Sequence, residues 1–283
     1  MAAAIRRALA AGLALAVLPV VGPTSAASAA LAVCPVVVAH RTAPLDAPEN
    51  TVPGIAAAAA SGAAMVEMDV RWSSSSYPVL MHDATVDRTT DGTGAVSALG
   101  LGDLRALWAA DYAPWRTDQR FADTKVPYGW EFMNAASTAD LDVLLDVMVT
   151  PSQVAAEKLI YYVDLFGWRA RTIVMGSTAT ITAMRQWYPD LRYVLIEYPT
   201  AGVIRSGEAL VALGVEGYAT PPAGVTPAAV SYWHAYGLDV LTWTSDTTAL
   251  DVPATWDAVT SAGVDAIITN RPGDLLTEQS GGC

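Results

Sequence analysis

Short apolar runs alternate with helix-like stretches along most of the chain. The runs are rich in Val, Ile and Leu and lack polar alternation, which is typical of strands buried on both faces of a parallel sheet. We place eight such strands, at Val36–Ala39, Met65–Val70, Leu144–Val149, Thr172–Met175, Tyr193–Glu197, Gly217–Thr220, Val240–Thr244 and Ala266–Thr269. Eight buried strands separated by helices predict the α/β class and a (β/α)8 TIM barrel.

A ninth apolar run, Pro78–His82, follows the second strand too closely for a parallel crossover, which needs a dozen residues or so. We therefore predict that it folds back on the second strand as a hairpin. The following segment, about Ala84 to Asp140, is rich in Gly, Asp, Thr, Trp and Pro. A connection of that length predicts an inserted segment after the second strand that covers one end of the barrel.

The first residues have the pattern of an export signal. Arg6-Arg7 precedes an apolar run, Ala8–Val21, and Ala27-Ser28-Ala29 offers a small-x-small cleavage site. We predict a signal peptide at 1–29 and a secreted, extracellular product, and the arginine pair leaves the twin-arginine route open. The apolar run is too short to span a bilayer, so no stable membrane insertion is expected.

The remaining residues, 30–283, contain no linker and predict a single domain. The formal net charge is −12 and no Lys/Arg cluster follows the signal. Such a chain repels phosphate backbones, so we expect no nucleic-acid partner. Cys34 and Cys283 lie near opposite ends of this domain. In an oxidising compartment they are expected to form a disulfide, the alternative being two unpaired thiols.

Polar side chains are concentrated at the ends of the first predicted strands. Because barrel active sites lie at the carboxyl ends of the strands, we expect these residues to converge on one pocket. They are His40 and Arg41 after the first strand, Glu67 and Asp69 in the second, His82 at the end of the hairpin, and Asp146 in the third strand.

Glu67 and Asp69 are two residues apart on a strand, so their side chains point to the same face. Buried carboxylates at this spacing predict a cation, and oxygen ligands select Ca²⁺ or Mg²⁺. The alternative is a pair of hydrogen-bonded structural acids.

Two of the three histidines, His40 and His82, lie at strand ends, whereas His234 lies in an ordinary helix. An imidazole titrates near neutral pH, so the pair suits a general acid and a general base, in either order. Arg41 suits a phosphate, because its guanidinium is permanently charged and two-pronged, or else it pairs with one of the acids.

The ordered set of these motifs resembles the glycerophosphodiester phosphodiesterase family, of the phospholipase C-like phosphodiesterase superfamily. The resemblance spans most of the mature chain. It is carried by His40-Arg41, Pro48-Glu49-Asn50-Thr51, Glu67-Met68-Asp69, Pro78-Val79-Leu80-Met81-His82-Asp83, Asp87-Arg88-Thr89-Thr90, Gly92-Thr93-Gly94, Val240-Leu241-Thr242-Trp243-Thr244 and the stretch from Gly263 to Pro272.

The resemblance implies a phosphoric diester hydrolase that converts small-molecule glycerophosphodiesters to an alcohol and glycerol 3-phosphate. One divalent ion is then held by Glu67, Asp69 and Asp146, while His40 and His82 act as acid and base and Arg41 binds phosphate. The substrate's own 2-hydroxyl is expected to attack phosphorus and form a cyclic phosphate. Trp243 is expected to line the alcohol pocket, or to be a buried barrel tryptophan.

The chain departs from the family in the third strand. The family usually has Glu-x-Lys, and this chain has Asp146-Val147-Met148, so the lysine is absent. This leaves two alternatives, a catalytically impaired phosphodiester-binding relative and a phospholipase D-like enzyme of the sphingomyelinase D type. The second needs an apolar entry surface, for which the inserted segment offers Trp108, Trp115, Phe121 and Trp130.

Overall fold

The computed structural model describes residues 34–198, 205–245 and 249–282. The predicted signal peptide and Cys283 lie outside the described residues. The strands are β1 Val36–Ala39, β2 Met65–Trp72, β3 Pro78–Leu80, β4 Asp142–Val147, β5 Thr172–Gly176, β6 Arg192–Ile196, β7 Gly217–Thr220, β8 Asp239–Trp243 and β9 Ala266–Thr269.

Eight of these described strands are parallel and form a closed barrel. The order runs from β1 through β9, β8, β7, β6, β5 and β4 to β2, and β2 pairs again with β1, with Val38 opposite Met65. β3 is antiparallel to β2, with Trp72 opposite Pro78. The two strands form the predicted hairpin, and β3 is not one of the eight barrel strands. The predicted (β/α)8 barrel is confirmed.

Five of the eight barrel strands differ from the predicted ranges, β2 and β4 by two residues at an end and β5, β6 and β8 by one. β2 extends to Trp72 because its end pairs with β3. β4 begins at Asp142, opposite Met65, and ends at Val147, opposite Val70. Met148 therefore lies just beyond the end of the strand.

The helices alternate with the strands and surround the barrel. They are α1 Val52–Ala60, α2 Leu101–Ala106, α3 Gly129–Thr138, α4 Gln153–Leu165, α5 Thr178–Trp187, α6 Gly207–Leu213, α7 Pro227–Ala235, α8 Pro253–Ser261 and α9 Pro272–Gln279. Single 3₁₀ turns lie at Val96–Ala98, Trp115–Thr117, Gln119–Phe121, Arg169–Arg171 and Pro222–Gly224. None of the helices in the described ranges has the length and apolar character needed to cross a bilayer.

Buried side chains form two layers around the strands. One layer fills the inside of the barrel and includes Val38, Leu144, Leu241 and Trp243. The other lies between the strands and the surrounding helices and includes Ile55, Phe132 and Trp233. Successive strand residues point alternately inward and outward, which is why apolar residues occupy both parities of each strand.

The predicted insertion begins as expected after the hairpin. It builds a small core of its own around Val86, Leu104 and Val126. Its last part, α3, is the helix that leads into β4 and packs beside α1 and α4. The inserted segment is therefore residues 84–128, because α3 is one of the helices that surround the barrel.

Candidate active site

The site lies at the carboxyl ends of the first strands. A cavity of about 50 Å³ is lined by His40, Arg41, Glu67, Asp69, His82, Asp146, Met148, Met175, Ile196, Tyr198, Trp243 and Ile268. The structure thus brings together every residue that the sequence suggested for catalysis, phosphate binding and metal binding.

Three carboxylates meet at the floor of this cavity. One oxygen from each of Glu67, Asp69 and Asp146 lies within 4.8 Å of the others. The parallel register creates this arrangement, because Asp69 of β2 lies directly opposite Asp146 of β4. Glu67 and Asp69 are each only 2% exposed.

The environment of these carboxylates opposes their negative charge. Burial, and then the charges of Asp69 and Asp146, raise the pKa of Glu67. Burial also raises the pKa of Asp69, and burial followed by the charge of Asp69 raises the pKa of Asp146 to about 8. A cation among these oxygens would offset the repulsion, so the donor set fits a hard divalent ion.

A left-handed turn after β1 places Arg41 over the acids. Arg41, Thr42 and Ala43 have φ values of 42°, 67° and 65°. Such a conformation costs on the order of 1–3 kcal/mol per non-glycine residue and persists only where the surroundings impose it. The turn lets the Arg41 backbone N–H donate to Glu67 Oε2 at 2.7 Å.

Arg41 faces two acids at longer distances. Its Nε lies 3.5 Å from Asp69 Oδ2, and its Nη1 lies 3.7 Å from Glu49 Oε1. The Nε atom is buried and makes no hydrogen bond within the described chain. Arg41 therefore lies beside acids and also lines the cavity, where its remaining N–H donors are available to a ligand.

Asn50 locks the same turn to β2. Its Nδ2 donates to Asp69 Oδ2 at 2.6 Å, and its Oδ1 accepts from the Asp69 backbone N–H at 3.0 Å. Its own backbone N–H donates to Arg41 O at 2.9 Å, which closes the loop. The sequence offered this asparagine as part of a motif and as a possible cap of the first helix, but Thr51 is the cap. The φ of 56° at Asn50, which asparagine tolerates, explains the residue type.

Gly54 is required where α1 packs on the left-handed turn. A Cβ at this position would lie 2.1 Å from Thr42 Oγ1 and 2.7 Å from Thr42 O. We expect Gly54→Ala to lower the free energy of unfolding by about 1–3 kcal/mol, the usual cost of overpacking, and to lower turnover by displacing Arg41. Urea unfolding and an activity assay measure both effects.

Gly102→Ala is the matched control, because Gly102 also lies in a helix and a Cβ added there would meet nothing within 4 Å. Alanine at this position is expected to leave stability unchanged or raise it by up to about 1 kcal/mol. Equal stability of the two variants would contradict the packing argument for Gly54.

The two histidines have different partners on Nδ1. His40 Nδ1 lies 2.7 Å from Asn270 Oδ1, and Asn270 Nδ2 donates to Ser245 O at 3.1 Å. The second bond fixes the amide orientation, so His40 Nδ1–H donates and its Nε2 carries the lone pair. Burial, followed by the charge of Arg41, lowers the pKa of His40 to about 3, which keeps the ring neutral.

His82 instead donates Nδ1–H to a carboxylate, Asp83 Oδ1, at 2.7 Å. Arg88 bridges Asp83 and Glu49, with Nε 2.6 Å from Asp83 Oδ2 and Nη2 2.7 Å from Glu49 Oε1. The hydrogen bond from Arg88 is the main cause that lowers the pKa of Asp83 to about 2. The ionised Asp83 therefore accepts the hydrogen bond from His82 Nδ1–H and orients the His82 ring.

A buried carboxylate, Asp251, holds Asn270, the hydrogen-bond partner of His40. Asp251, 2% exposed, accepts hydrogen bonds from Thr244 Oγ1 at 2.6 Å and Thr269 Oγ1 at 2.5 Å. It also accepts from the Asn270 backbone N–H at 2.9 Å. Asp251 gave no signal in the sequence, since it lies in a connection after β8 and acts only through its neighbours.

Trp243 was expected either to line the alcohol pocket or to be buried in the barrel. It is 4% exposed, belongs to the layer inside the barrel and also lines the cavity, with its ring centroid 4.9 Å from that of Tyr198. His234, set aside from the sequence, lies on α7 with Nε2 2.7 Å from Asp265 Oδ2 and does not line the cavity.

Comparison with known proteins decides the family. The family model for the glycerophosphoryl diester phosphodiesterase family matches residues 40–274, which is most of the chain. The chain belongs to this family. The family predicted from the sequence motifs is thereby confirmed.

Curated relatives agree with this assignment. Glycerophosphodiester phosphodiesterase 1 of Bos taurus is 30% identical over 239 residues, covering 74% of this chain and 71% of the relative. The glycerophosphodiester phosphodiesterase of Caldanaerobacter subterraneus is 27% identical and covers 85% and 96%. The match to the human glycerophosphodiester phosphodiesterase 1 spans only a third of that protein, at 44% identity over 110 residues. The predicted enzyme class agrees with the names of these relatives.

A solved structure shows the same fold. A phosphodiesterase of Oleispira antarctica, in complex with the product sn-glycerol-3-phosphate, has a TM-score of 0.75 at 22% identity and covers 87% of this chain and 97% of that chain. Met148 lines the cavity at the position where the sequence resemblance led us to expect a lysine.

Proposed function

We propose that this protein is a divalent-cation-dependent glycerophosphodiester phosphodiesterase that releases an alcohol and glycerol 3-phosphate. The observation that carries the proposal is one cavity in which two histidines with differently bonded Nδ1 atoms face three clustered carboxylates. The names of the curated relatives and the bound product of the Oleispira structure support the substrate class.

Glu67, Asp69 and Asp146 would hold the cation, Ca²⁺ or Mg²⁺. The oxygen-only donor set, its burial and the raised pKa values of its members support this assignment. When bound, the ion supplies positive charge that polarises the phosphoryl group and offsets the charge developing on its oxygens.

His40 is proposed as the general base and His82 as the general acid. The amide partner of His40 leaves Nε2 unprotonated and able to accept the proton of the substrate's glycerol 2-hydroxyl. The carboxylate partner of His82 orients the ring, which in its protonated form donates a proton to the leaving alcohol oxygen.

The proposed reaction has two balanced halves. The 2-hydroxyl oxygen bonds to phosphorus as its proton passes to His40, and the bond from phosphorus to the alcohol oxygen breaks as His82 protonates that oxygen. Water then opens the cyclic phosphate, giving its proton to His82, while His40 returns a proton to the 2-oxygen. Arg41 lies beside the acids and stabilises the phosphoryl charge throughout.

Release of glycerol 3-phosphate from a panel of glycerophosphodiesters tests the proposal. The protein is first treated with EDTA and then supplied with Ca²⁺ or Mg²⁺. We expect turnover that disappears with EDTA and returns with one of the ions. Folded protein that turns over no member of the panel with either ion would refute the proposal and favour the impaired phosphodiester-binding relative.

The lipid-acting alternative loses part of its basis in the structure. Of the four aromatic residues suggested for an apolar entry surface, Trp115 and Phe121 are buried and pack edge to face with centroids 5.3 Å apart. Trp108 Nε1–H donates a hydrogen bond to Phe121 O, and Trp130 is 43% exposed. The substrate is accordingly proposed to be a small water-soluble diester.

Secretion and the disulfide between Cys34 and Cys283 are part of the proposal. Gln279 Nε2 donates to Pro35 O at 3.0 Å, so the end of α9 lies beside the residue that follows Cys34. We expect the exported protein, unfolded without reductant, to show no thiol reactive toward a thiol reagent. Cys34→Ser should then expose one thiol, and two reactive thiols in the wild type would contradict the pairing.

A further inference from the structure

Arg71 is the neighbour of Met148 at the rim of the barrel. Asp69 is opposite Asp146 and Val70 is opposite Val147 in the parallel register of β2 and β4. The Met148 backbone N–H donates to Val70 O at 3.2 Å, which continues the same register. The next residue along β2, Arg71, therefore lies at the level of Met148.

Side-chain alternation places Arg71 with the acids. Glu67, Asp69 and Arg71 occupy every second position of β2, so they share the face that carries the site. Asp146 and Met148 share the corresponding face of the adjacent strand and its continuation, and both line the cavity. Arg71 therefore carries a positive charge on β2 at the level of Met148.

The Arg71 guanidinium is committed to the acid-base machinery. Its Nε and Nη2 donate to His82 O at 2.9 Å and 2.6 Å, which fixes the main chain that carries the imidazole. Two of its five N–H donors are used in this way. Burial lowers the pKa of Arg71, and the negative charges of Asp69, Asp83 and Asp146 act against this shift.

We propose that Arg71 replaces the lysine that this chain lacks at position 148, by holding His82 and by supplying positive charge beside Asp146. The inference rests on the proposed function. It accounts for an uncharged Met148 beside the acids, because Arg71 on the adjacent strand supplies a positive charge at the same level. Arg71 is thus a positioning residue that also favours an anionic ligand.

A charge-relocation experiment tests this. We expect Arg71→Met to lower kcat by about tenfold to a hundredfold, the scale for losing one electrostatic contact, with a smaller change in KM. Met148→Lys introduced into Arg71→Met should recover about tenfold of that loss. Arg71→Lys, which keeps the charge and loses the two-pronged bond to His82 O, should fall between wild type and Arg71→Met.

Calorimetric binding of glycerol 3-phosphate gives a readout that does not depend on turnover. We expect its Kd to rise about tenfold in Arg71→Met and to be restored by the added Met148→Lys, since both changes act on positive charge beside the anion. Arg169→Met is the control for losing an arginine, because Arg169 pairs with Asp164 and Asp190 on the surface; its kcat and Kd should equal those of the wild type.

The outcomes separate the inference from the proposed function. Wild-type turnover with an unchanged Arg71→Met, or with a loss that Met148→Lys does not relieve, overturns the inference alone. A wild type without turnover refutes the proposed function, and the binding series still decides the inference: a Kd unaffected by Arg71→Met, or unrestored in the double variant, overturns it. Thermal unfolding of each variant shows whether a loss reflects misfolding.

Discussion

His82→Ala is expected to slow release of an aliphatic alcohol by about 10²–10⁴-fold, the usual contribution of a general acid, and to slow release of p-nitrophenol far less. The reason is the leaving group: an alkoxide needs a proton as it departs, whereas p-nitrophenolate leaves unaided. The measurement is the initial rate of alcohol release from two glycerol phosphodiesters that differ only in the leaving group.

His40→Ala gives the opposite pattern if His40 is the base, because deprotonating the 2-hydroxyl is needed for either leaving group. It should slow both substrates to a similar extent. His234→Ala is the matched control. This histidine lies on α7, makes a hydrogen bond to Asp265 and does not line the cavity. Equal losses for both substrates in His82→Ala, or selectivity in His40→Ala instead, would contradict the assignment of the two roles.

Asp146→Asn is expected to remove the response to the divalent ion. An ion at a hundred times its Kd stabilises the folded protein by about 2.7 kcal/mol, and the variant should lose most of this gain. Turnover should fall by more than the tenfold to hundredfold typical of losing an outer partner of a metal ligand. Thermal unfolding with EDTA and with added ion, together with the activity assay, measures both effects.

The same carboxylate predicts a pH dependence for the EDTA-treated protein. Burial and the charge of Asp69 raise the pKa of Asp146 from 3.8 to about 8. The folded state therefore holds a proton that the unfolded state releases, so the associated stability is fully present below about pH 4 and is lost as the pH rises toward 8. Asp146→Asn should lack this loss, and added ion should reduce it in the wild type.

Asp142→Asn is the matched control for both measurements. Asp142 lies on the same strand, but its carboxylate pairs with Arg171 at the opposite end of β4 from the site. This variant should keep the ion response and the pH dependence of the wild type. Identical behaviour of Asp142→Asn and Asp146→Asn would show that the response does not come from the carboxylate cluster.

The local sequence was sufficient for the barrel and for predicting that the candidate site residues meet at one rim. Buried strands of a parallel barrel are continuous apolar runs, and the eight runs were recognisable without long-range information. The placement of His40, His82 and the Glu67–Asp69 pair at strand ends was equally local, because every barrel strand delivers its carboxyl end to the same rim. Strand boundaries were less accurate, since pairing with β3 extended β2 beyond its apolar run.

The tertiary structure decided the partners of these residues. Asn270 follows the last strand, 230 residues beyond His40, yet it fixes the tautomer of that ring. The register between β2 and β4 brings Asp146 to Asp69 and Arg71 to Met148, and no local pattern specifies a register between strands so far apart in sequence. The sequence determined which side chains lie at the rim of the barrel. Closure of the barrel determined which of these side chains contact one another, and therefore the hydrogen-bond partner and the neighbouring charges of each.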